Sequence, residues 1–194
     1  QNLTEFFIKD SQNKTYIPIS VHCGYSYTLY LVSDPDNQTK HDLAFSFSTI
    51  NPEYEDFIFP ILLNIGDSNP IGLFGGMKHS AAITDQGGII FINFDFISQS
   101  PTSSLKTQYL PDGERAISVV CCYSQVYVLS SSGHVYQSII SDPLNFSIVS
   151  ELKKVNVIDL SGDHDNLLAV SDDGKVYGFG SNLHGKLSLG KRSE

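Results

Sequence analysis

The stretch from Gly162 to Gly190 reads Gly-Asp-His-Asp-Asn-Leu-Leu-Ala-Val-Ser-Asp-Asp-Gly-Lys-Val-Tyr-Gly-Phe-Gly-Ser-Asn-Leu-His-Gly-Lys-Leu-Ser-Leu-Gly. Its core is a template: a small residue or turn former, two variable positions, a polar or ring-bearing residue, and an apolar run that ends at Ser171. A turn at Asp173-Gly174 then leads into a second apolar segment at Val176-Tyr177. This pattern predicts two short strands joined by a hairpin turn in which both central residues have positive φ.

The same template begins at three earlier positions, Gly24, Gly76 and Cys122. The last three copies contain the turn glycines Gly87, Gly133 and Gly174, which lie 46 and 41 residues apart. Self-similarity at this period is typical of propellers and solenoids. Since repeat architectures usually act through surfaces, the pattern favours a binding protein over an enzyme with one catalytic cleft.

Nearly all of the remaining sequence also reads as short strands that are rich in Val, Ile, Tyr and Phe and divided by Gly, Asp, Asn and Pro. The candidate strands are Tyr16–His22, Thr28–Ser33, Leu43–Ser48, Phe57–Asn64, Ser80–Thr84, Ile89–Phe94, Ala116–Cys121, Gln125–Ser130, Val135–Ile140, Val155–Leu160, Leu167–Ser171 and Lys175–Phe179. The runs 80–83 and 167–170 are small or apolar on both faces, which indicates strands covered on both sides. This favours propeller blades over a sandwich. Residues 34–60 are expected to be a diverged repeat or an extended loop, and residues 98–113 a loop between blades.

The composition excludes several classes of protein. The chain has 194 residues, 41% of them hydrophobic, and a formal net charge of −9. The acidic balance argues against nucleic-acid binding, which depends on clustered Lys and Arg. No apolar run approaches the roughly 18 residues of a membrane span. The three cysteines, Cys23, Cys121 and Cys122, form no C-x-x-C pair, which excludes a zinc ribbon. Because their number is odd and two of them are adjacent, we expect reduced, buried thiols in a cytoplasmic or nuclear protein. Because the sequence begins with Gln, we expect it to be a piece of a longer protein.

The segment 162–190 resembles the repeat of the regulator-of-chromosome-condensation family. That repeat reads Gly-x-x-His-Ser/Thr-x-Ala-Leu-Thr, then an Asp-Gly turn, Val-Tyr-x-Trp/Phe-Gly, and Asn-x-x-Gly-Gln-Leu-Gly-x-Gly. The copy from Gly76 to Ile90 is a second good match, whereas the copies at Gly24 and Cys122 are degenerate, and Gln125 and Asn166 stand where the family pattern has His. The resemblance marks the following positions as structural: Gly24, Gly76, His79, Gly87, Gly133, Gly174, Gly180, Asn182, Gly185, Leu187 and Gly190.

The resemblance implies a β-propeller with four-stranded blades, typically seven around a central channel. This chain supplies about four repeats, approximately 13–65, 66–110, 111–152 and 153–194, within a single domain 1–194. A closed four-bladed ring, part of a larger ring, and half of a ring completed by another chain are all open alternatives. We favour a partial or chain-paired ring, in which open blade edges promote self-association.

The sequence predicts no catalytic residue, cofactor or metal site. Residues 180–187 resemble a phosphate-binding loop, but Leu187 has no hydroxyl for Mg²⁺. Residues 163–166 resemble the start of a calcium loop without its later Gly and Glu. His79 beside Ser80 suggests a nucleophile and base, yet no Gly-x-Ser-x-Gly motif surrounds them. The neighbours of Cys122 give no reason for a lowered thiol pKa.

The leading hypothesis is a non-enzymatic protein-interaction module. The resemblance implies a Ran-type small GTPase as partner, with nucleotide exchange promoted without covalent chemistry, but it identifies no residues for that role. The alternative is the regulatory propeller of a larger enzyme, such as a ubiquitin ligase or kinase. A hydrolase or kinase within these residues is the hypothesis of a different class.

Overall fold

The computed structural model describes residues 7–25, 27–47, 60–77, 79–93, 105–139, 142–182 and 185–187. These residues form short strands and two single-turn 3-10 helices, Pro111–Gly113 and Ser150–Leu152. The strands are β1 (Ile8–Lys9), β2 (Thr15–Cys23), β3 (Tyr27–Ser33), β4 (His41–Phe47), β5 (Ile61–Leu62), β6 (Pro70–Gly75), β7 (His79–Thr84), β8 (Ile89–Asn93), β9 (Thr107–Gln108), β10 (Ala116–Cys121), β11 (Gln125–Ser130), β12 (Val135–Ile139), β13 (Asp142–Ile148), β14 (Val157–Asp163), β15 (Asn166–Ser171) and β16 (Val176–Gly180).

The strands form four separate antiparallel sheets, which we call blades 1 to 4. Blade 1 has the order β1-β2-β3-β4-β5, blade 2 β6-β7-β8-β9, blade 3 β10-β11-β12-β13 and blade 4 β14-β15-β16. The first long strands of successive blades, β2, β6, β10 and β14, lie next to one another and form the inner side of an arc. This arrangement is a partial β-propeller, so the prediction of an all-β chain with about four blades is confirmed.

The hydrophobic core lies between successive blades. Leu29 and Phe45 of blade 1 pack with Ala82 and Ile90 of blade 2. Residues of blade 2 pack in the same way against blade 3, and those of blade 3 against blade 4. In β7 the neighbours Ala81 and Ala82 belong to different interfaces, and both are fully buried. The small and apolar run at residues 80–83 is therefore covered on both faces, as the sequence indicated.

Blades 2, 3 and 4 share one hairpin turn between their second and third strands. In blade 4 the N–H of Gly174 donates to the Ser171 carbonyl at 3.0 Å, and the N–H of Ser171 donates to the Lys175 carbonyl at 2.9 Å. Only Gly174 in this turn has positive φ, at +80°. The loop thus contains three residues closed by one left-handed glycine, and the prediction that Asp173 also has positive φ is wrong. Three-residue loops of this kind preserve the strand twist as well.

A hydroxyl at the end of each template strengthens these turns. In each turn the hydroxyl oxygen accepts the N–H of the residue four positions later. The Thr84 hydroxyl accepts from Gly88 at 3.0 Å, that of Ser130 from His134 at 3.2 Å, and that of Ser171 from Lys175 at 3.2 Å. Such local side-chain bonds satisfy turn backbone groups that the sheet leaves unpaired. This explains why the apolar runs end in Ser or Thr.

The sequence missed two long strands, β6 and β13. Pro70, Gly72 and Gly75 make β6 a poor match to the strand pattern, but Pro70 is the first residue of the strand, where the missing N–H is tolerated. In β13 Pro143 lies in the edge strand of blade 3. The expected loop 98–113 contains the short strand β9, while residues 48–59 and 94–104 lie outside the described residues.

Candidate protein interface

The four copies of the sequence template lie at the turns between the first and second long strands of the four blades. In three of them the N–H of the first template residue donates to the carbonyl of the fourth. These bonds join Gly24 to Tyr27 at 2.9 Å, Gly76 to His79 at 2.8 Å and Cys122 to Gln125 at 2.9 Å. Because the first long strands of the four blades run in the same direction, all four hairpin tips lie on the same rim of the arc.

The second template residues form a row across these tips, which we call the hairpin-tip row: Tyr25, Met77, Tyr123 and His164. Backbone hydrogen bonds between blades join them in two pairs: the N–H of Tyr25 donates to the Met77 carbonyl at 2.9 Å, and that of Tyr123 to the His164 carbonyl at 2.7 Å. Tyr25, Met77 and Tyr123 are 81%, 41% and 49% exposed. The row therefore presents large side chains on a backbone that hydrogen bonds hold in place.

The blade 3 and blade 4 members of this row stack on each other. The rings of Tyr123 and His164 have centroids 5.1 Å apart and an interplanar angle of 22°. The Nδ1 of His164 lies 2.7 Å from a carboxylate oxygen of Asp165. Tyr and Met are enriched in protein interfaces, and exposed rings with few rotatable bonds lose little entropy when they bind. The sequence analysis missed this row because its residues occupy positions treated as variable. The sequence did carry one signal for this row, because tyrosine occupies the second template position in two of the four copies.

A second set of exposed apolar side chains lies at the other end of the first long strands, β2, β6, β10 and β14. In each blade the pairing register between the first and second long strands shifts at one isoleucine, as expected for a β-bulge. These residues are Ile19, Ile71, Ile117 and Ile158, which are 51%, 53%, 51% and 57% exposed. Because the first strands form the inner side of the arc, this bulge row lies towards the propeller axis.

The predicted structural positions in blades 1 and 2 lie at contacts between side chains and backbone. A Cβ on Gly24 would overlap the ring of Tyr27, and one on Gly76 would overlap the carbonyl of Cys121 in blade 3. His79 and Ser80 are successive residues of β7, so their side chains point to opposite faces. The Ser80 hydroxyl lies 2.5 Å from the Tyr27 hydroxyl. This geometry does not support a nucleophile–base pair.

The segment after β16 is a turn organised by Asn182, which is 1% exposed. Its carbonyl accepts the N–H of Gly185 at 2.9 Å, and its Oδ1 accepts the N–H of Leu187 at 2.9 Å. Gly180 and Gly185 have positive φ, at +100° and +72°. These hydrogen bonds account for the Asn-x-x-Gly-x-Leu spacing, and Gly190 lies outside the described residues.

The paired cysteines are buried thiols without nucleophilic character at neutral pH. Burial raises the pKa of Cys121 to about 12. Burial, with Asp163 and Asp165 nearby, raises the pKa of Cys122 to about 11. The Cys122 thiol lies 3.7 Å from the Asn166 carbonyl of blade 4. Both thiols therefore belong to the packing between blades.

The described part of the chain offers neither a metal site nor a membrane-spanning helix. No group of three or more His, Cys, Asp and Glu residues there is placed to hold a metal ion. Within the same ranges no helix has the length and apolar character needed to cross a membrane.

Comparison with known proteins gives structural matches only, since no family model and no curated protein matches the sequence. Human WBSCR16 matches with a TM-score of 0.68 and 14% identity over 100% of this chain and 53% of its own. Prp20p from Saccharomyces cerevisiae, studied for its binding to Gsp1p and histones, matches with a TM-score of 0.65 and 12% identity, over 91% of this chain and 48% of its own. The CRINKLY WD40 ectodomain of the Arabidopsis thaliana receptor kinase ACR4 matches with a TM-score of 0.50 and 15% identity, over 85% of this chain and 55% of its own.

The chain spans about half the length of the structures that it matches most fully. Another of these matches is yeast RCC1 (Prp20) itself, with a TM-score of 0.61. At these identities the likeness establishes the fold, which agrees with the repeat resemblance in the sequence. The chain therefore folds as an arc of an RCC1-like β-propeller.

Proposed function

We propose that this chain is a non-enzymatic protein-interaction scaffold whose contact surface is the hairpin-tip row. The observation that carries the proposal is the alignment of Tyr25, Met77, Tyr123 and His164 along one rim of the arc, exposed and joined in two pairs by backbone hydrogen bonds between blades. Binding residues set on a rigid scaffold are the usual way in which repeat folds act. The domain 1–194 would then be one propeller-repeat unit, cytoplasmic or nuclear, without a cofactor.

The partner is expected to be a protein with a basic contact surface. The chain has a formal net charge of −9. Asp163 and Asp165 flank His164 in the sequence and are exposed. Opposite charge speeds encounter and excludes acidic partners. The same charge disfavours nucleic acid.

A Ran-type small GTPase is the first partner to test. The repeat resemblance suggests it, and Prp20p, which shares the fold, was studied for its binding to Gsp1p. In this proposal the scaffold promotes nucleotide exchange by binding the nucleotide-free GTPase more tightly than the loaded form. No covalent step is required of the chain.

The alternative function is regulation within a larger enzyme such as a ubiquitin ligase or kinase. The likeness to the ectodomain of the receptor kinase ACR4 favours it. In that case the hairpin-tip row would contact another domain or a ligand of the same enzyme.

The test measures release of fluorescently labelled GDP from a Ran-type GTPase, and binding of the nucleotide-free GTPase to the immobilised chain. The paired variant Tyr25→Ala with Tyr123→Ala should weaken binding by about tenfold or more, as expected for aromatic anchors. Tyr109→Ala is the matched control, because Tyr109 is 59% exposed and lies outside the row. Binding without faster release supports a scaffold and rejects exchange. Equal binding by the paired variant and the control would overturn the role of the row.

A further inference from the structure

Every contact between blades in this chain pairs the same two faces. We call the face of a blade towards the next blade its trailing face, and the face towards the preceding blade its leading face. In the second long strand alternate residues serve the two faces: Leu29 lies on the trailing face of blade 1, and Ala82 on the leading face of blade 2. Within the described residues the chain builds three such interfaces, and no further blade lies over the leading face of blade 1 or the trailing face of blade 4.

The trailing face of blade 4 exposes residues that the other blades bury. Val176 pairs with Val170 and is 64% exposed. The equivalent residues of blades 1, 2 and 3 are Leu43, Ile89 and Val135, which are 0%, 0% and 1% exposed. This face therefore has the apolar composition of an interface. Among the described residues no further blade lies over it, and the segment 185–187 covers the part near Leu168 and Gly178 with Leu187.

The leading face of blade 1 has the complementary property. Val21 pairs with Tyr30 and is 58% exposed, whereas its equivalents Val119 and Leu160 are 4% and 7% exposed. The outer half of this face is covered by Ile8, which is 1% exposed and packs with Tyr16. The inner half, with Val21, Cys23 and Thr28, is open to a neighbour.

A buried polar atom on blade 4 points to the same kind of neighbour. Asn166 is 8% exposed, and its Oδ1 is buried without a hydrogen-bond partner in the described structure. Asn166 is the blade 4 equivalent of Tyr27, whose hydroxyl meets that of Ser80 in the next blade. A buried acceptor without a donor is costly, and the described residues supply no donor here.

Blade 1 carries a hydroxyl at the matching position of its leading face. Thr28 is the blade 1 equivalent of Ser80, and its Oγ1 lies 3.9 Å from the Cys23 thiol.

We propose that the chain associates head to tail with a second copy of itself. The trailing face of blade 4 in one copy packs on the inner half of the leading face of blade 1 in the other. The argument for a second copy is continuity, because this is the face pair that the chain already joins three times within itself. Such a heterologous contact forms a closed ring if its rotation closes, and an open series if it does not. The inference does not depend on the hairpin-tip row.

The formal net charge of −9 on each copy opposes this association at low ionic strength. Salt screens that repulsion and strengthens apolar contacts, so self-association should increase with salt concentration. A contact held mainly by surface ion pairs would respond in the opposite direction.

Sedimentation velocity from low micromolar to submillimolar concentration tests the proposal on the whole chain. The wild-type mass should rise with concentration and more steeply at higher salt. Val176→Lys alters the trailing face and Val21→Lys the leading face, and each variant alone should associate about tenfold more weakly, since an unpaired ammonium opposes burial. Ile139→Lys is the control, because Ile139 is 53% exposed on blade 3. Circular dichroism checks that each variant is folded.

Mixing the two interface variants gives the decisive result. Val176→Lys keeps an intact leading face and Val21→Lys an intact trailing face, so an equimolar mixture should form a heterodimer of twice the monomer mass and nothing larger. A wild-type chain that stays monomeric at every concentration would overturn the proposal and assign the open face to another occupant, such as a further blade. Association of either variant alone at wild-type strength would overturn it too.

Discussion

The hydroxyl of Tyr27 in blade 1 lies 2.5 Å from the hydroxyl of Ser80 in blade 2 and donates to the Gly76 carbonyl at 3.1 Å. The ring of Tyr27 stacks on Phe45 with centroids 5.6 Å apart. Burial raises the pKa of Tyr27, while the hydrogen bond with Ser80 acts in the opposite direction. One side chain thus joins the core of blade 1 to the hairpin tip of blade 2.

Tyr27→Phe should destabilise the chain by about 1–2 kcal/mol. The ring and its packing are retained, but the buried Ser80 hydroxyl and the Gly76 carbonyl lose this partner, which costs more than an exposed hydrogen bond does. Urea unfolding followed by circular dichroism measures the change. Tyr30→Phe is the control, since the Tyr30 hydroxyl makes a longer 3.3 Å contact to Ser46 in a partly buried site. Equal losses in the two variants would contradict the assignment.

Gly133→Ala should destabilise the chain more than Gly174→Ala. Both glycines have positive φ, at +83° and +80°, so each alanine pays a similar backbone strain of about 1 kcal/mol. A Cβ at position 133 would also overlap the Oδ1 of Asn156 in the next blade, whereas one at position 174 meets nothing within 4 Å. The difference between the two free energies of unfolding therefore measures the contact between blades.

The displaced Asn156 would also lose its 2.8 Å hydrogen bond to Asp172. The double variant Gly133→Ala with Asn156→Ala separates the two effects, because the smaller side chain removes the overlap. Its free energy of unfolding should exceed the value expected from adding the two single variants. Simple additivity would show that the turn strain alone accounts for the loss.

The repeat period and the two-faced apolar runs were sufficient to predict the architecture from the sequence. Burial of Ser80, Ala81, Ala82 and Ile83 follows from a neighbour on each side, and the sequence shows that directly. The equivalent run at 167–170 looks the same in the sequence, yet Leu168 and Val170 are only half-buried. Composition predicts that a face is apolar, whereas tertiary structure decides whether anything covers it.

The candidate interface could not be predicted in the same way. Tyr25 and Met77 are different residue types at the same template position, so the template treats that position as variable. Their alignment arises from a backbone hydrogen bond between blades. The bulge row contains the same residue type, isoleucine, in each blade. Its exposure depends on the register shift, which a sequence without the pairing partner does not show.

The stability of the chain should fall steeply above pH 9. Burial raises the pKa of Cys121 from the ordinary 9.0 to about 12, and that of Cys122 to about 11. The unfolded chain therefore releases these protons first, and the stabilisation, full below pH 9, is lost as the pH rises towards the folded values. The expected loss is about 1 kcal/mol for each thiol between pH 9 and 10.

Urea unfolding at a series of pH values measures this slope under reducing conditions. Cys121→Ala should lower the slope between pH 9 and 10, because one of the two thiols no longer titrates in the unfolded chain. Cys23→Ala is the control, since Cys23 is exposed, and it should leave the slope unchanged. The same slope in all three proteins would assign the alkaline loss to the tyrosines instead.

The short strand β1 closes the outer half of the leading face of blade 1, and its contribution rests on one side chain. Ile8 is 1% exposed and packs with Val32 and Ala44, both fully buried. Phe7 beside it is 59% exposed. Ile8→Ala should therefore cost about 2–4 kcal/mol in the free energy of unfolding, as a truncation in a packed core does.

Phe7→Ala is the matched comparison and should stay within about 0.5 kcal/mol of the wild type, because an exposed side chain contributes little. Hydrogen exchange distinguishes a local from a global effect of Ile8→Ala. If β1 only covers blade 1, the amides of β3 and β4 lose protection while those of blades 3 and 4 keep it, since each blade contacts only its neighbours. Equal loss of protection in all four blades would instead make β1 part of a single cooperative unit that extends through the arc.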